Sequence, residues 1–336
     1  MTRRVVLAYS GGHGSSAALK HLSREAEVVA VAADFGAGDV DLWALRRRAV
    51  AEGAAEVVVV DVREEFANEY CLRALQANAL CLDWRPLVAS LARPLLAQQL
   101  VAVARVQNAP TVAHGGDHAL GSAIEALAPD LETVVPVGVR GSSAAAQLST
   151  SRTLWGRSVV AGRRYTEDAG ANFDAPDEVV VTFDQGTPVA VDGETVSVAE
   201  AVQRLGHRAG AHGIGRFGGD DSCEAPGAAV LVAAHQQLEC DTIDRDLAAF
   251  KRGVDRRWAE LVHDGMWFSP LREPLDAFVR QSQERVSGEV RLVLHAGRAA
   301  LAGLPGRRLR PVGRRYRPGT GQTPLGDTQH LSTQAS

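Results

Sequence analysis

The sequence predicts an α/β chain in two parts, a parallel sheet wrapped by helices followed by a smaller α+β part. Three observations carry that expectation. Up to Gly138, short apolar runs alternate with helical periods, the pattern of a parallel sheet covered on both faces. Three polar or glycine-rich turns, Ser10–Ser16, Asp34–Gly38 and His114–Asp117, fall at the carboxyl ends of those runs, where open α/β sheets bind ligands. Composition then changes, and a Ser/Ala/Gly-rich stretch from Gly141 to Thr153 reads as a linker or loop. With 336 residues, the chain is expected to divide into residues 1–150, residues 151–304 and a tail, 305–336.

The elements follow in order. Val5–Tyr9 reads as a buried strand and Ser16–Glu25 as its helix, with Ser15 or Ser16 placed to cap the first turn. Val28–Ala33 and Val40–Glu52 repeat the pair, and Glu56–Val60 is a third strand. Helical periodicity runs from Arg63 to Asn108, broken near Trp84 and Pro86. Thr111–Ala113 is a fourth strand and Val134-Val135 a fifth. In the second part, Glu178–Phe183 and Pro188–Val191 read as strands around Asp184-Gln185-Gly186. Val198–Ala209, Ala228–Glu239, Asp241–Asp264 and Ala277–Gln283 read as helices, and Glu289–His295 alternates as a strand. The tail carries Arg307, Arg308, Arg310, Arg314, Arg315 and Arg317 and then only small and polar residues, so it is expected to be a disordered, solvated segment.

Composition narrows the function. At 46% hydrophobic residues a sizeable core is available, and a net charge of −4 disfavours a nucleic-acid partner. No run of some eighteen apolar residues exists, and Arg3-Arg4 leads into a short strand rather than a signal sequence, so a cytoplasmic protein without a membrane partner is expected. Cys71, Cys81, Cys223 and Cys240 lack zinc spacing; reduced thiols and no metal site are expected.

The stretch Val5–Lys20, VVLAYSGGHGSSAALK, carries the chemistry. A strand, a glycine turn and a helix aim backbone N–H groups and a positive dipole end at an anion. Gly11, Gly12 and Gly14 let the backbone come close to phosphate. Gly12-His13-Gly14-Ser15-Ser16-Ala17 fits a G-x-G-x-x-A dinucleotide turn, with Asp34 near the place of a ribose-binding acid. Ser10-Gly11-Gly12-x-x-Ser15-Ser16 fits instead the pyrophosphate loop of enzymes that split ATP to AMP and pyrophosphate. The stretch alone does not choose.

Distant matches do. VVLAYSGG opens the chain. REEFANEYCLRALQANAL (Arg63–Leu80), LARPLLAQQLVAVA (Leu91–Ala104), AHG (Ala113–Gly115) and EALAPDL (Glu125–Leu131) follow. The second part adds LWGRS (Leu154–Ser158), APDEVVVTFDQGTPVAVDGE (Ala175–Glu194), HGIGR (His212–Arg216) and EAPGA (Glu224–Ala228). It continues with WAELVHDGMWFSPLREPLDAF (Trp258–Phe278) and SQERVSGEVRL (Ser282–Leu292). In these motifs and their order the chain resembles the argininosuccinate synthase family over most of its length. The resemblance implies a Rossmann-like ATP-pyrophosphatase domain, of the adenine nucleotide alpha hydrolase kind, followed by an α+β synthetase domain. It also implies ATP with Mg2+ and a homo-oligomer, a tetramer with a dimer as the smaller alternative. The family adenylates the ureido oxygen of citrulline, releases pyrophosphate and lets the aspartate amine displace AMP.

Carried over by position, the ATP contacts are Ala8, Tyr9, Ser10, Gly11, Gly12, Ser15, Ser16, Ala33 and Gly115, to which the glycine turn itself adds Gly14, and substrate contacts are Arg93, Ser158 and Glu224. The departures are specific. His13-Gly14 stands where the family has Leu-Asp, so a carboxylate beside the pyrophosphate is gone. Gly115–Glu125, GGDHALGSAIE, replaces a longer aspartate- and citrulline-holding run, and Trp84–Ala89 replaces another citrulline segment. Cys223 replaces the tyrosine before Glu224. The expectation is a C–N ligase with amino-acid-like substrates other than citrulline and aspartate, whose new pocket uses His13, Arg85, Asp117 and His118. A non-catalytic nucleotide-binding paralogue acting through a partner is the alternative.

Overall fold

The computed structural model describes residues 3–38, 40–82, 85–136, 150–159, 175–217 and 222–302. The expected tail, most of the expected linker and Trp84 lie outside the described residues.

The first part begins with β1 (Arg4–Ala8), α1 (His13–Leu22), β2 (Glu27–Asp34), α2 (Leu42–Ala51) and β3 (Glu56–Asp61). A helical run follows as α3 (Arg63–Glu65), a π-helical segment Phe66–Cys71 and α4 (Leu72–Gln76). A two-strand hairpin, β4 (Cys81–Leu82) with β5 (Arg85–Pro86), interrupts it near the expected break. Then come α5 (Val88–Val106), β6 (Thr111–Ala113), α6 (His118–Leu127) and β7 (Glu132–Val134). The sheet order is β3-β2-β1-β6-β7, parallel throughout. Its strands are apolar on both sides because both sides are covered. Val5, Leu7, Val28 and Ala30 enter the cluster that includes Ala18, Leu19 and Leu45 of α1 and α2. Their neighbours Val6, Val29 and Val31 point the other way, into the cluster of Leu100, Leu120 and Ile124 from α5 and α6.

One expectation needs correction here. The first helix starts at His13, three residues before Ser16, with Gly12 as its N-cap and no side-chain cap. The Ser15 hydroxyl instead donates to the Gly12 carbonyl, 3.0 Å, so it braces the turn and caps nothing. After the His114–Asp117 turn, the GGDHALGSAIE stretch holds helix α6, which Asp117 starts by accepting from the Leu120 N–H at 3.3 Å.

The second part contains β8 (Arg152–Thr153), β9 (Gly156–Val159), β10 (Asp177–Asp184), β11 (Thr187–Val191), β12 (Glu194–Thr195), α7 (Val198–Ala211), β13 (Arg216–Phe217) and β14 (Ser222–Glu224). It ends with α8 (Pro226–Thr242), α9 (Arg245–His263), α10 (Arg272–Ser282), β15 (Gly288–His295) and β16 (Arg298–Leu301). One sheet runs β12-β11-β10-β15-β16 and is antiparallel; a smaller one runs β13-β14-β9-β8. α7 begins with a full capping box, Ser197 with Glu200. Gly227 lets α8 press on α7, since a Cβ there would lie 2.1 Å from the Val202 carbonyl oxygen.

The largest apolar cluster belongs to both parts. Phe35, Phe66, Leu75 and Leu91 pack with Val179, Leu205, Val230, Trp258 and Leu292. A polar knot sits in the same seam. The Lys251 ammonium, 1% exposed, lies 2.7 Å from the Gln76 carbonyl oxygen, 2.8 Å from Asp255 and 3.0 Å from Glu239. Asn78 donates to Glu239 at 2.7 Å and to Asp255 at 3.1 Å. Burial lifts the Asp255 carboxyl to about 6, against the pull of Lys251. Lys251→Met leaves two buried carboxylates without their cation and is expected to cost about 3–5 kcal/mol. Urea denaturation checks this, with the solvent-exposed Arg105→Ala expected to match wild type; an unshifted midpoint for Lys251→Met would refute the role.

Candidate nucleotide and substrate site

In the parallel sheet the chain moves from β1 to β2 and β3 on one side, then returns to place β6 and β7 on the other. The reversal point lies between β1 and β6, and the turns after those strands flank the crevice where such sheets bind ligands. After β1, the Tyr9 N–H still donates to the Val31 carbonyl, 2.7 Å. The chain then turns through Gly11 at φ +73°. That conformation, and the Leu45 methyl 2.6 Å from where a Cβ would sit, demand glycine. Ser15 accepts from the Ser10 N–H at 3.3 Å, and the two hydroxyls are 3.3 Å apart. The Arg48 guanidinium holds the Gly11 carbonyl at 3.0 Å. The result is a braced strand-to-helix turn whose following helix has no acidic residue in its first turn.

Beside this turn, α1 and α2 enclose a cavity of about 530 Å³ lined by Gly11, His13, Ser16, Ala17, Lys20, Arg48 and Glu52. Tyr9 is buried behind it and donates to Glu52 at 2.9 Å. Burial, reinforced by Glu52 and opposed by a bond to Ser16, pushes the Tyr9 hydroxyl up from 10.0 to about 12. Arg48, Lys20 and Glu52 were not among the residues singled out from sequence; the visible signal was only that Arg48 and Glu52 are four apart on a helix.

The other expected residues fall into three places. Ala33, near the end of β2, is buried, and the neighbouring Asp34 accepts from the Gly36 N–H at 2.9 Å and lies 3.9 Å from Arg63. After β6, His114 is buried, Gly115 exposed and Gly116 at φ +83°. Burial holds the His114 ring below its ordinary value, and its Nδ1 has no partner among the described residues. Asp117 accepts from Arg93 at 2.7 Å, while Arg93 also donates to Ser90 at 3.2 Å. These two expected substrate contacts therefore satisfy each other. His118 is exposed at the start of α6.

In the small sheet, β9 and β14 set Ser158 opposite Cys223 and Arg157 opposite Glu224. Ser158 is exposed. Glu224 is 4% exposed and accepts from Arg157 at 2.9 and 2.7 Å, with Arg216 at 3.5 Å. Arg157 is thus a site residue that sequence reading missed, although it lies inside the quoted LWGRS. The expected joint pocket of His13, Arg85, Asp117 and His118 is not what the geometry brings together. His13 lines the α1–α2 cavity, Asp117 is joined to Arg93, and the side chain of Arg85 lies outside the described residues.

A parallel α/β sheet with a braced glycine turn at its reversal point, joined to a separate antiparallel α+β part, defines a Rossmann-like domain followed by a synthetase-type domain. Residues 4–152 match the model of the arginosuccinate synthase N-terminal HUP domain, and residues 163–308 that of the arginosuccinate synthase C-terminal domain. The chain belongs to the argininosuccinate synthase family, ATP-dependent ligases that form C–N bonds in arginine biosynthesis. No helix among the described residues is long and apolar enough to cross a membrane.

The Tyr9 hydroxyl gives a direct check on this geometry. Its neutral form is favoured in the fold, so its contribution to stability is complete below pH 10 and lost as pH rises through about 12. In a Tyr70→Phe background, absorbance titration is expected to show one phenol ionising near pH 12. Glu52→Gln should move that midpoint down. A midpoint that does not respond to Glu52 would contradict the contact.

Proposed function

We propose that the protein is an AMP- and pyrophosphate-forming C–N ligase that acts on an amino-acid-like pair other than citrulline and aspartate. One observation carries the reading: the glycine turn after β1, held open by Gly11 and Arg48 at the sheet's reversal point, on a chain of this family. Its N–H groups at Gly11, Gly12 and Gly14 and the hydroxyls of Ser10 and Ser16 suit pyrophosphate oxygens, while the Ser15 hydroxyl, spent on the Gly12 carbonyl, holds the turn in shape. Ala8, Tyr9, Ala33 and Gly115 lie at the ends of β1, β2 and β6, where the nucleoside would rest. Mg2+ arrives as the ATP complex. No acid lies in the first turn of α1, and among the described residues no group of three or more His, Cys, Asp or Glu could hold an ion. In that complex its ligands are phosphate oxygens and water.

The chemistry is a double displacement. An amide-like or ureido oxygen attacks the α-phosphorus, the bond to the β-phosphate oxygen breaks, and pyrophosphate leaves. An amine then attacks the activated carbon, the C–O bond to AMP breaks, and the amine proton passes to solvent. Positioning and charge do most of the work, because adenylation itself creates the leaving group.

Charge supports the altered-substrate reading. Glu224 is held by Arg157 and Asp117 by Arg93. A substrate cation would have to displace a guanidinium, so neither carboxylate is ready for one. Ser158, His118 and His13 remain exposed. A homo-oligomer in the cytoplasm completes the reading, with small molecules as its other partners.

A pyrophosphate-release screen with ATP and a panel of amino acids and ureas tests this. Release is expected with one amide- or ureido-plus-amine pair and not with citrulline plus aspartate. Gly11→Ala should lower it about a hundredfold by displacing the turn. ATP binding without release for any pair would leave the non-catalytic reading, and ordinary turnover of citrulline plus aspartate would remove the altered-substrate reading.

A further inference from the structure

The cleft between α1 and α2 is lined by cations, of which Arg48 has no carboxylate partner among the described residues. Arg48 is exposed on α2, and its guanidinium makes one contact among the described residues, donating from Nη1 to the Gly11 carbonyl at 3.0 Å. A guanidinium has five N–H donors, so four point elsewhere. Lys20 and His13 line the same cavity from α1. The only carboxylate on the lining among the described residues, Glu52, is already engaged by the Tyr9 hydroxyl at 2.9 Å and by Lys20 at 3.8 Å. A cavity of about 530 Å³ is ample for two phosphate groups, and it opens directly off Gly11 and Ser16 of the turn.

We propose that Arg48, assisted by Lys20, binds the pyrophosphate end of the nucleotide in this cleft, both before cleavage and as the free product. This rests on the nucleotide reading above. Arg48 does two things at once. Its Nη1 turns the Gly11 carbonyl oxygen away from the incoming phosphate oxygens, which that oxygen would otherwise repel. Its remaining N–H groups meet those oxygens in the fork geometry that suits phosphate. The ligand class is therefore a nucleoside triphosphate or inorganic pyrophosphate, not a nucleoside monophosphate, which has no β- or γ-phosphate to reach the cleft.

Calorimetric titration of the full chain with inorganic pyrophosphate, ATP and AMP tests it, using wild type, Arg48→Met, Arg48→Lys and Arg46→Met. The last removes an exposed arginine from the same helix as a charge control. Arg48→Met is expected to weaken pyrophosphate and ATP about tenfold or more while AMP stays within about twofold, as for loss of a charge-assisted phosphate contact. Arg48→Lys should recover part of the loss, and Arg46→Met should change none of the three. Equal weakening of AMP would mean that Arg48 acts only through the turn, and undiminished pyrophosphate binding would remove it from the cleft; either overturns the proposal. If wild type binds pyrophosphate but not ATP, the nucleotide reading fails while the cleft assignment stands. If ATP binds wild type and Arg48→Met alike, the nucleotide reading stands and the cleft assignment fails.

Discussion

The molecule depends on an apolar cluster that crosses the change in chain composition. Phe35, Phe66, Leu75, Leu91 and Leu95 come from the part that builds the parallel sheet, and they are buried against Val179, Phe183, Leu205, Leu231 and Leu292 of the other. Neither set has another place to go. The helices between β3 and β6 cover one face of the parallel sheet only with their later turns; their earlier residues fill the core of the second part. The Leu154 N–H donates to the Phe35 carbonyl at 2.8 Å, so the backbone is tied at the same seam. Opening a hinge there would return this surface to water, at roughly 25 cal/mol for each Å² exposed. The glycine turn after β1 and the Arg157–Glu224 pair are thus carried by one packed body.

Much of this architecture was legible, and the reasons differ by element. The parallel strands declared themselves because burial on both faces writes uninterrupted runs such as Val5–Leu7 and Val28–Ala33. The long amphipathic helices α7 and α9 were equally plain, since one face is polar. The short strands β8, β9, β13 and β14 were not. They have two to four residues, and their pairing is set by contacts with α5 and the Ala225 turn rather than by any alternation. Helix α6 has no counterpart among the elements read from sequence, although Asp117 before an apolar period at Leu120 and Ile124 is a start signal. At the site, residue types at the turn were readable, but pairings were not. Asp117 with Arg93, and Glu224 with Arg157, join residues 24 and 67 positions apart. Which charges neutralise each other is a property of the fold.

Those pairings bear on the substrate reading proposed above. A carboxylate that already accepts two guanidinium bonds, as Glu224 does, offers little to an incoming substrate donor. Taking both Arg157 bonds away would strand a buried charge, a cost that a single ureido N–H does not offset. Asp117 is similarly occupied, and it also starts α6, so its movement would loosen the turn after β6. The groups left for ligands around these turns are backbone N–H groups, hydroxyls and cations. Such a lining favours oxygen-rich, anionic ligand groups over cationic ones.

The turn after β1 shows how this bias is compatible with a rigid cradle. An anion site made from a helix N-terminus is effective only if its N–H groups are fixed before the ligand comes. Here the fixing comes from outside the turn. Leu45 closes the space behind Gly11, Arg48 holds its carbonyl, and Ser15 ties Ser10 to Gly12. A carboxylate in this ring of contacts would lower the positive potential at the helix start. None is present in the first turn of α1, and the nearest one on the cavity wall, Glu52, is occupied by Tyr9 and Lys20. The buried Tyr9 proton therefore has a second use: by taking up Glu52 from behind, it leaves Arg48 directed toward Gly11 and the cleft.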